Sequence, residues 1–543
     1  MLLKLLFLFF IFNIYFYTTN ARPEPEPAST FDEHDGYHIR PESVRHRRSV
    51  INNLLYHNAD EENNADFWRT RAQVTVREHL YKRINKKRAK NVIMFLGDGM
   101  SIPTLGAARI YQGQLNGESG EQSHLFFENF PYTGLSQTYC VNAQVADSAC
   151  SATAYLCGVK ANEGTMGVTA AVKRKDCKAQ SDPNNHVTSI AQWALDAGKA
   201  AGIVTTTRVT HASPGGTYAH TANRDWECDT DIIKDKQDPS ICPDIATQLI
   251  TSSPGKHYKV ILGGGRREFL PMNVTDEEGS QGHRSDGINL IKTWQKEKQK
   301  AGLNAKYVWN RNQLLEATAD SNLDSLLGLF ESDHCLYNLD TNKETEPTLA
   351  EMTEAAITVL NKTSNGYFLF VEGGRIDHGH HETRAHKALD ETVQLSDAIR
   401  KAVELIDLDD TLVVVTSDHA HTMSFAGYAD RGGDILSLAG MGQDKLPYST
   451  LSYANGPGYK PASHNGGRHN ISEDNMSAKN YEFPAIAPLS SETHGGDDVG
   501  VFALGPWSHL FTGMYEQNVI PHLMAFASCL GDGLTYCDIR TGH

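Results

Sequence analysis

The fold of this chain is decided by the stretch Tyr367-Phe-Leu-Phe-Val-Glu-Gly-Gly-Arg-Ile-Asp-His-Gly-His-His381. Its apolar run at 368–371 predicts a buried strand. Two carboxylates and three imidazoles follow this run: Glu372, Asp377, His378, His380 and His381. Such groups cost free energy at the end of a buried strand unless something compensates them. A bound metal ion is the usual compensation, and a solvated histidine-rich loop is the alternative.

Three further apolar runs end in the same way. The runs 91–96, 201–205 and 411–416 lead, in chain order, into Asp98, into His211 and Ser213, and into Asp418 and His419. Short β-branched runs between helical segments predict buried parallel strands. Because ligands of open α/β sheets sit beyond the carboxyl ends of the strands, we expect these distant side chains to converge on one site.

The length and charge of the chain narrow its class. It has 543 residues and a formal net charge of −16. Predicted strands and helices alternate from about residue 91 to about residue 415, which favours one large α/β domain. We expect a central, mostly parallel sheet flanked by helices. The negative charge argues against nucleic-acid binding, which needs a basic face for the phosphate backbone.

The first residues have the pattern of a secretory signal. Residues 1–21 combine Lys4, an apolar run at 5–17 and the small residue Ala21, as a cleavable signal peptide does. A membrane anchor is the alternative, but a span needs roughly 20 apolar residues. Residues 22–48 are rich in proline and charge, which predicts disorder. They end in Arg45-His-Arg-Arg48, which is either a processing site or a solvated basic cluster.

Other features agree with secretion into an oxidising compartment. Four N-glycosylation sequons begin at Asn273, Asn361, Asn470 and Asn475. The nine cysteines leave at least one unpaired within a single chain. The stretch 537–543 has no hydrophobic tail of the kind that a lipid-anchor signal needs. We therefore expect a secreted, extracellular protein without a lipid anchor.

A second motif predicts a nucleophile at a helix N-terminus. In Val145-Ala-Asp-Ser-Ala-Cys-Ser-Ala-Thr-Ala154, Asp147 and Ser148 precede a run of small residues. Free backbone amides and the helix dipole at such a position favour an anion such as phosphate. A serine hydroxyl must be activated, and coordination to a divalent metal would do so. The alternative is that Asp147 or Ser148 only caps the helix.

Six separated blocks together resemble animal alkaline phosphatases of the insect and vertebrate type. They occur in the family's order at 95–100, 145–153, 210–220, 370–381, 416–421 and 492–496. The resemblance runs from about residue 91 to residue 537 and implies an alkaline-phosphatase-like α/β fold with an inserted crown lobe. It also implies hydrolysis of small phosphate monoesters through a phosphoserine intermediate, in a homodimer.

The resemblance implies two zinc ions and one magnesium ion, with residues assigned by position in the motifs. One zinc would be held by Asp377, His381 and His494, and the second by Asp98, Asp418 and His419 with Ser148 as nucleophile. Magnesium would be held by Asp98, Ser213 and Glu372. Arg224 would bind the phosphate oxygens with its planar guanidinium group. Without the motif, an ordinary surface arginine is the alternative. The supporting residues near the site would be Asp147, His211 and His378.

The resemblance also implies a calcium site and two disulfides, and this chain departs from the family at several cysteines. A calcium site would use Glu278, the Phe330 carbonyl, Glu331 and Glu346, for which ordinary acidic surface residues are the alternative. The pairs Cys177–Cys242 and Cys529–Cys537 match family disulfides, and Cys157 matches a free buried thiol. No family partner is assigned to Cys140, Cys228 or Cys335. Cys150 stands where relatives carry a small residue.

The resemblance also divides the chain. Residues 49–90 would form an N-terminal arm around the partner subunit, with a self-contained amphipathic helix within 64–89 as the alternative. Residues 91–426 and 492–543 would form the α/β domain, and 427–491 the crown-like insertion. The composition of 427–491, rich in Gly, Pro, Ser and Asn, indicates loop on its own.

Three other functions are alternatives to the hydrolysis of phosphate monoesters. Two-zinc phosphodiesterases have a similar Asp/His constellation but lack the set formed here by Ser213, Glu372 and Arg224. A sulfatase would need a Cys-x-Pro-x-Arg segment, and none occurs. A secreted binding protein with an idle site usually loses ligands, whereas every expected zinc and magnesium ligand is present here.

Overall fold

The computed structural model describes residues 62–462 and 466–541. The predicted signal peptide, the predicted segment 22–48 and the start of the predicted arm lie outside the described residues. Within them, no helix combines the length and the apolar character needed to cross a bilayer.

The described residues form a ten-stranded sheet and three small sheets. The strands of the large sheet are β1 (Asn91–Gly97), β2 (Tyr132–Gln137), β3 (Ala200–Arg208), β4 (Val260–Gly264), β5 (Ala305–Val308), β6 (Ser325–Leu329), β7 (Tyr367–Gly373), β8 (Thr411–Ser417), β16 (Val499–Leu504) and β17 (Gly513–Glu516). The small sheets use β9 (Ala420–His421), β10 (Met423–Phe425), β11 (Leu438–Met441), β12 (Pro447–Ser449), β13 (Leu451–Gly456), β14 (Ala485–Pro488) and β15 (His494–Gly495).

The large sheet confirms the predicted fold class. Its strand order is β17-β2-β16-β8-β1-β7-β3-β4-β6-β5, and β16 alone runs antiparallel to its two neighbours. The four apolar runs predicted as strands are β1, β3, β7 and β8, which lie side by side in the middle. Gly97 at the end of β1 is in register with Gly373 of β7 and Ser417 of β8. The residues that follow these strands therefore meet at one edge.

Helices cover both faces of the sheet. In chain order they are α1 (Ala65–Leu80), α2 (Ile102–Leu115), α3 (Ser148–Cys157), α4 (Cys177–Gln180), α5 (Ile190–Asp196), α6 (Ala212–Gly215), α7 (Asp229–Lys234), α8 (Ile245–Thr251), α9 (Leu290–Lys300), α10 (Arg311–Thr318), α11 (Leu349–Leu360), α12 (Arg375–His381), α13 (Ala385–Leu405), α14 (Ile520–Ser528) and α15 (Tyr536–Thr541). Successive residues of β1 point to opposite cores: Ile93 packs with α2, α11 and α13, whereas Met94 packs with α3, α5, α8 and α14. A sheet buried on both faces explains why its strands are continuously apolar.

The segment 427–491 is not only loop. It contains β11, β12, β13 and β14, and β13 pairs with β10 and β14. Composition alone therefore misjudged this segment, because the pairing partners of short strands lie outside the local sequence.

The helix α1 confirms the helical spacing predicted within 64–89. None of its residues is buried against the rest of the described chain. Trp68 and Val74 are each 48% exposed and Leu80 is 75% exposed.

Candidate active site

The predicted strand-end residues do converge. Asp98 follows β1, Glu372 lies within β7, and Asp418 with His419 follows β8; all four are fully buried. Gly99 allows the close approach, since its φ is +68° and a Cβ at that position would lie 2.4 Å from Cδ2 of His421. The backbone N–H of Gly99 donates to Oδ1 of Asp418 at 2.9 Å, which ties the ends of β1 and β8 together.

The first group of side chains surrounds Asp377. Nε2 of His381 and Nε2 of His494 lie 3.3 Å and 3.4 Å from Oδ1 of Asp377, and 3.1 Å from each other. Nδ1–H of His381 donates to the carbonyl of Glu492 at 2.5 Å, and Nδ1–H of His494 donates to the carbonyl of Ala146 at 2.8 Å. These carbonyls leave both Nε2 atoms as lone-pair acceptors aimed at one point, as in histidines that bind a metal.

The second group lies beside the nucleophile candidate. Nε2 of His419 is 3.1 Å from Oδ2 of Asp418 and 3.5 Å from Oδ1 of Asp98. No described side chain or backbone group donates a hydrogen bond to either carboxylate oxygen of Asp98. Burial first, and then the charges of Asp418, Asp377 and Glu372, hold the pKa of Asp98 well above its ordinary value. This carboxylate lacks the positive charge that its burial requires.

The third group contains Glu372, His211 and Ser213. The hydroxyls of Thr205 and Thr207 donate to Oε2 of Glu372, the second at 3.0 Å. Its Oε1, together with Oγ of Ser213 and Nδ1 of His211, has no hydrogen-bond partner among the described residues. Burial is the main cause that raises the pKa of Glu372 to about 7. One ligand atom each from Asp98, His211 and Glu372 falls within 4.8 Å of the others.

Ser148 begins helix α3 and faces these groups. Its Oγ lies 3.1 Å from Nε2 of His419. Asp147 caps the helix by accepting from the amides of Ala149 and Cys150 at 3.3 Å and 3.2 Å. The expectation that free amides of this turn hold phosphate is therefore wrong for these two, because the Asp147 carboxylate already occupies them.

Arg224 is placed by the same aspartate. Its Nη1 donates to Oδ2 of Asp147 at 3.0 Å. Burial raises the pKa of Asp147, but Arg224 and the amides of Gly164 and Cys150 outweigh it and hold that pKa below its ordinary value. Asp147 therefore stays ionised and keeps the guanidinium in a fixed position, as a phosphate clamp requires.

One site residue was missed from the sequence. Nε2 of His421 lies 2.7 Å from Oδ1 of Asp377, and Nδ1 lies 2.5 Å from Oε2 of Glu492. Its ligand atom groups with those of Asp377, His381 and His494. The motif at 416–421 contains this histidine, but its partner Glu492 is 71 residues away, so nothing local indicated its role.

The disulfides add a pairing that the resemblance did not assign. Cys177–Cys242 and Cys529–Cys537 form as implied, and Cys157 is free and buried. Cys140 pairs with Cys150 and both are 2% exposed. Cys150, two residues after Ser148, is therefore part of a disulfide that ties the first turn of α3 to the loop after β2.

The remaining predicted residues lie away from the nucleophile or at its margin. His378 packs edge-on against His211, with ring centroids 5.5 Å apart. All four sequon asparagines are exposed.

The predicted calcium ligands are partly engaged by the protein itself. Burial first, and then the charges of Glu346 and Glu278, raise the pKa of Glu331 to about 7, so these carboxylates are neighbours. However, Glu278 binds the guanidinium of Arg266, and Glu346 accepts from Leu336 N–H at 2.9 Å. Within the described residues they do not form a compact ligand group.

The chain resembles known proteins over most of its length. A family model described as "Alkaline phosphatase" matches residues 89–530. The chain belongs to the alkaline phosphatase family. It is 52% identical over 482 residues to the "Membrane-bound alkaline phosphatase" of Bombyx mori, covering 88% of this chain and 87% of that protein. It is 48% identical over 487 residues to the tissue-nonspecific isozyme of Homo sapiens, covering 88% and 91%.

Solved alkaline phosphatases share the fold. The Thermus thermophilus enzyme superimposes with a TM-score of 0.59 at 22% identity, over 85% of this chain and 97% of that chain. The enzyme from the Antarctic bacterium TAB5 gives a TM-score of 0.56 at 21% identity, over 82% and 100%. This chain is thus a hydrolase of a metal-dependent family that acts on phosphate monoesters.

The residues present fit bound cations. The carboxylates of Asp98, Glu372 and Asp418 each keep a buried oxygen to which no described group donates, and the imidazoles aim lone pairs at the same spaces. Mixed imidazole and carboxylate sets suit zinc, and an all-oxygen set suits magnesium.

Proposed function

We propose that this chain hydrolyses phosphate monoesters with Ser148 as the nucleophile, at a site for two zinc ions and one magnesium ion. The observation that carries the proposal is the position of the Ser148 hydroxyl, 3.1 Å from Nε2 of His419 and beside buried carboxylates that lack partners. Membership of the alkaline phosphatase family supports the class of reaction, and the geometry supports Ser148 as the nucleophile.

The proposed ligand sets follow the three groups of side chains. Asp377, His381 and His494 would hold one zinc ion, with His421 orienting Asp377. Asp98, Asp418 and His419 would hold the second, and Asp98, Ser213 and Glu372 would hold magnesium with His211 beside it. When bound, these ions supply positive charge that lowers the pKa of hydroxyl groups and stabilises charge on the phosphate oxygens.

The chain's own residues carry the chemistry as follows. Oγ of Ser148 gives its proton to solvent and attacks phosphorus in line, forming an O–P bond as the P–O bond to the leaving alkoxide breaks. The alkoxide takes a proton from solvent and leaves as the alcohol. Arg224, fixed by Asp147, donates to the non-bridging phosphate oxygens and holds the phosphorus in reach. Water then attacks the phosphoserine, which returns the Ser148 hydroxyl and releases inorganic phosphate.

The first test is hydrolysis of a chromogenic phosphate monoester from neutral to strongly alkaline pH. We expect alkaline activity that a chelator removes and that zinc with magnesium restores. Ser148→Ala should lose at least about 10³-fold in kcat. Ser151→Ala is the matched control, since the Ser151 hydroxyl donates to the Asp147 carbonyl at 2.9 Å and should leave activity near wild type. Full activity in Ser148→Ala would overturn the proposal.

A diester substrate distinguishes the neighbouring reaction class. A phosphodiester carries one negative oxygen fewer than a monoester, so it offers less charge to Arg224 and to the cations that the site is proposed to hold. We therefore expect the monoester to have the higher kcat/KM, and a reversed preference would favour a phosphodiesterase. A folded, metal-loaded protein without turnover on either ester would favour a binding protein.

We also infer a homodimer, secretion and glycosylation. The exposed apolar residues Trp68, Val74 and Leu80 of α1 support an arm that packs on a partner subunit. The four exposed sequons suit modification in the secretory pathway. The relative from Bombyx mori is described as membrane-bound, so secretion of this chain stays a prediction, as does the calcium site.

A further inference from the structure

The guanidinium group of Arg174 contacts the chain on both sides of Arg224. Nε of Arg174 donates to Oδ1 of Asn223 at 3.3 Å, and Nη2 donates to Oδ2 of Asp225 at 3.1 Å. Asn223 is fully buried, whereas the side chain of Arg174 is 38% exposed. One guanidinium group therefore holds the residue before and the residue after the arginine that is proposed to bind phosphate.

The third nitrogen of Arg174 bonds to a second segment that positions Arg224. Nη1 of Arg174 donates to Oε1 of Glu163 at 2.7 Å. The carbonyl of the next residue, Gly164, accepts from the backbone N–H of Arg224 at 2.9 Å, and the N–H of Gly164 donates to Oδ1 of Asp147 at 2.9 Å. Arg174 thus joins the segment of Glu163 and Gly164 to the segment that carries Arg224.

The backbone of Gly164 permits this contact. Its φ is +73°, and a Cβ at that position would lie 2.6 Å from Nε of Arg174. A side chain there would displace the guanidinium group, so the glycine allows Arg174 to lie directly against the segment. Arg174 is also three residues from Cys177, which is bonded to Cys242. Both the backbone near Arg174 and its guanidinium group are therefore restrained.

An ordinary surface ion pair does not account for this arrangement. Isolated exposed pairs stabilise a fold little, and one acceptor is enough to form one. Here all three nitrogens of one planar group donate to three acceptors in two segments, and the planar geometry fixes the direction of each bond. Both segments contact Arg224, so the network acts on one functional side chain.

We propose that Arg174 is a positioning residue that holds Arg224 in the geometry for binding phosphate. The inference rests on the proposed role of Arg224, and it gives Arg174 no contact with the substrate. Since the segments around Arg224 are already ordered, phosphate binding does not have to order them. Without Arg174, residues 163–164 and 223–225 gain conformational freedom, and the cost of ordering them lowers the affinity for phosphate.

The test measures the dissociation constant of inorganic phosphate by calorimetry on the full-length, zinc- and magnesium-loaded protein. Arg174→Met should raise this constant about tenfold in the wild-type background, which corresponds to ordering one or two side chains. In the Arg224→Ala background the same change should have an effect of less than about twofold, because the residue through which Arg174 acts is absent. No effect in the wild type, or equal effects in both backgrounds, would overturn the proposal.

Two matched variants separate positioning from charge and from general damage. Arg174→Lys keeps the charge but loses the planar group, so its dissociation constant should be closer to that of Arg174→Met than to that of the wild type. A value closer to the wild type would overturn the positioning role. Arg468→Met removes another half-exposed arginine, which bonds to Asp444 through two nitrogens. Its phosphate affinity should equal that of the wild type, and a loss as large as in Arg174→Met would contradict a specific effect.

Arg224→Ala alone tests the proposed function separately. If this variant binds phosphate as tightly as the wild type, the role of Arg224 fails and the role of Arg174 fails with it. If Arg224→Ala binds phosphate weakly while Arg174→Met binds it as the wild type does, only the inference about Arg174 fails. Weak binding by both single variants, without a further loss in the double variant, is the expected result.

Discussion

Two buried charged regions of this molecule are built in opposite ways. In the carboxylate cluster (Asp98, Glu372 and Asp418), every member keeps an oxygen to which no described group donates. In the arginine cluster (Arg266, Arg284, Asp244 and Asp276), Nη1 and Nη2 of Arg284 donate to the two oxygens of Asp244 at 3.0 Å and 3.1 Å, and Nε of Arg266 donates to Asp276 at 2.8 Å.

The comparison separates charges that serve the fold from charges that serve a ligand. Both regions are buried, so burial alone does not distinguish them. In the arginine cluster the protein supplies its own counter-charge, and the region is complete when the chain has folded. In the carboxylate cluster the counter-charge must come from outside, which is why the metal-dependent chemistry is proposed there.

The largest expected effect comes from Asp98, which is shared by two of the proposed metal sites. Asp98→Asn should lower kcat/KM for a phosphate monoester at least about 10³-fold, because an amide replaces the negative ligand. Steady-state kinetics at saturating zinc and magnesium would measure this. Activity within tenfold of wild type would remove Asp98 from the proposed site.

Arg284 tests the opposite region. It is 1% exposed, and Arg284→Met leaves the Asp244 carboxylate buried without its partner, so the free energy of unfolding should fall by about 3–5 kcal/mol. Denaturant unfolding measures the loss. Asp98→Asn is the matched comparison: in chelated protein at neutral pH it removes an uncompensated carboxylate and should not destabilise the fold. Equal destabilisation by both changes would refute the distinction between the clusters.

Stability of the chelated protein should depend on pH through Glu372. Its pKa is about 7 in the fold against 4.5 ordinarily, so between these values the folded state binds a proton that the unfolded state has lost. The contribution of Glu372 to the free energy of unfolding is therefore greatest below about pH 4.5 and falls as pH rises to about 7, by an amount of the order of 3 kcal/mol.

The control for this pH effect is Glu372→Gln, which cannot ionise. Unfolding curves of the chelated variant should have a shallower decline between mildly acidic and neutral pH than those of the wild type. A decline of the same slope in both proteins would mean that Glu372 is not the group responsible.

The smallest effect concerns the disulfide beside Asp147, a compensated carboxylate of the candidate active site. Cys140→Ala with Cys150→Ala opens a 10-residue separation and should cost about 2–3 kcal/mol of unfolding free energy. Because the disulfide ties down the turn capped by Asp147, the affinity for inorganic phosphate should also fall. The pair Cys529→Ala with Cys537→Ala, with a separation of 8, should lower stability while leaving that affinity unchanged. Equal phosphate affinity in both double variants would show that the Cys140–Cys150 disulfide does not position the phosphate-binding groups.

Much of the site could be predicted because its residues follow strands. The strands β1, β3, β7 and β8 have local apolar signatures, and parallel strands bring the residues after them to one edge. Asp98, Glu372, Asp418 and His419 were predicted in this way to meet at one edge, where the structure places them. His421 was not, because its importance depends on contacts with Asp377 and Glu492 that are distant in sequence.

The sequence by itself determined the fold class and the identity of most candidate ligands, since apolar periodicity and ligand-rich strand ends are local properties. Only the tertiary structure decided which charges are compensated. In the folded chain Cys140 is bonded to Cys150, the backbone amides of Ala149 and Cys150 donate to the Asp147 carboxylate, and Glu268 lies near Cys228. Each of these outcomes depends on distances between segments far apart in the chain, and a buried charge is stable or unstable according to which partner those distances supply.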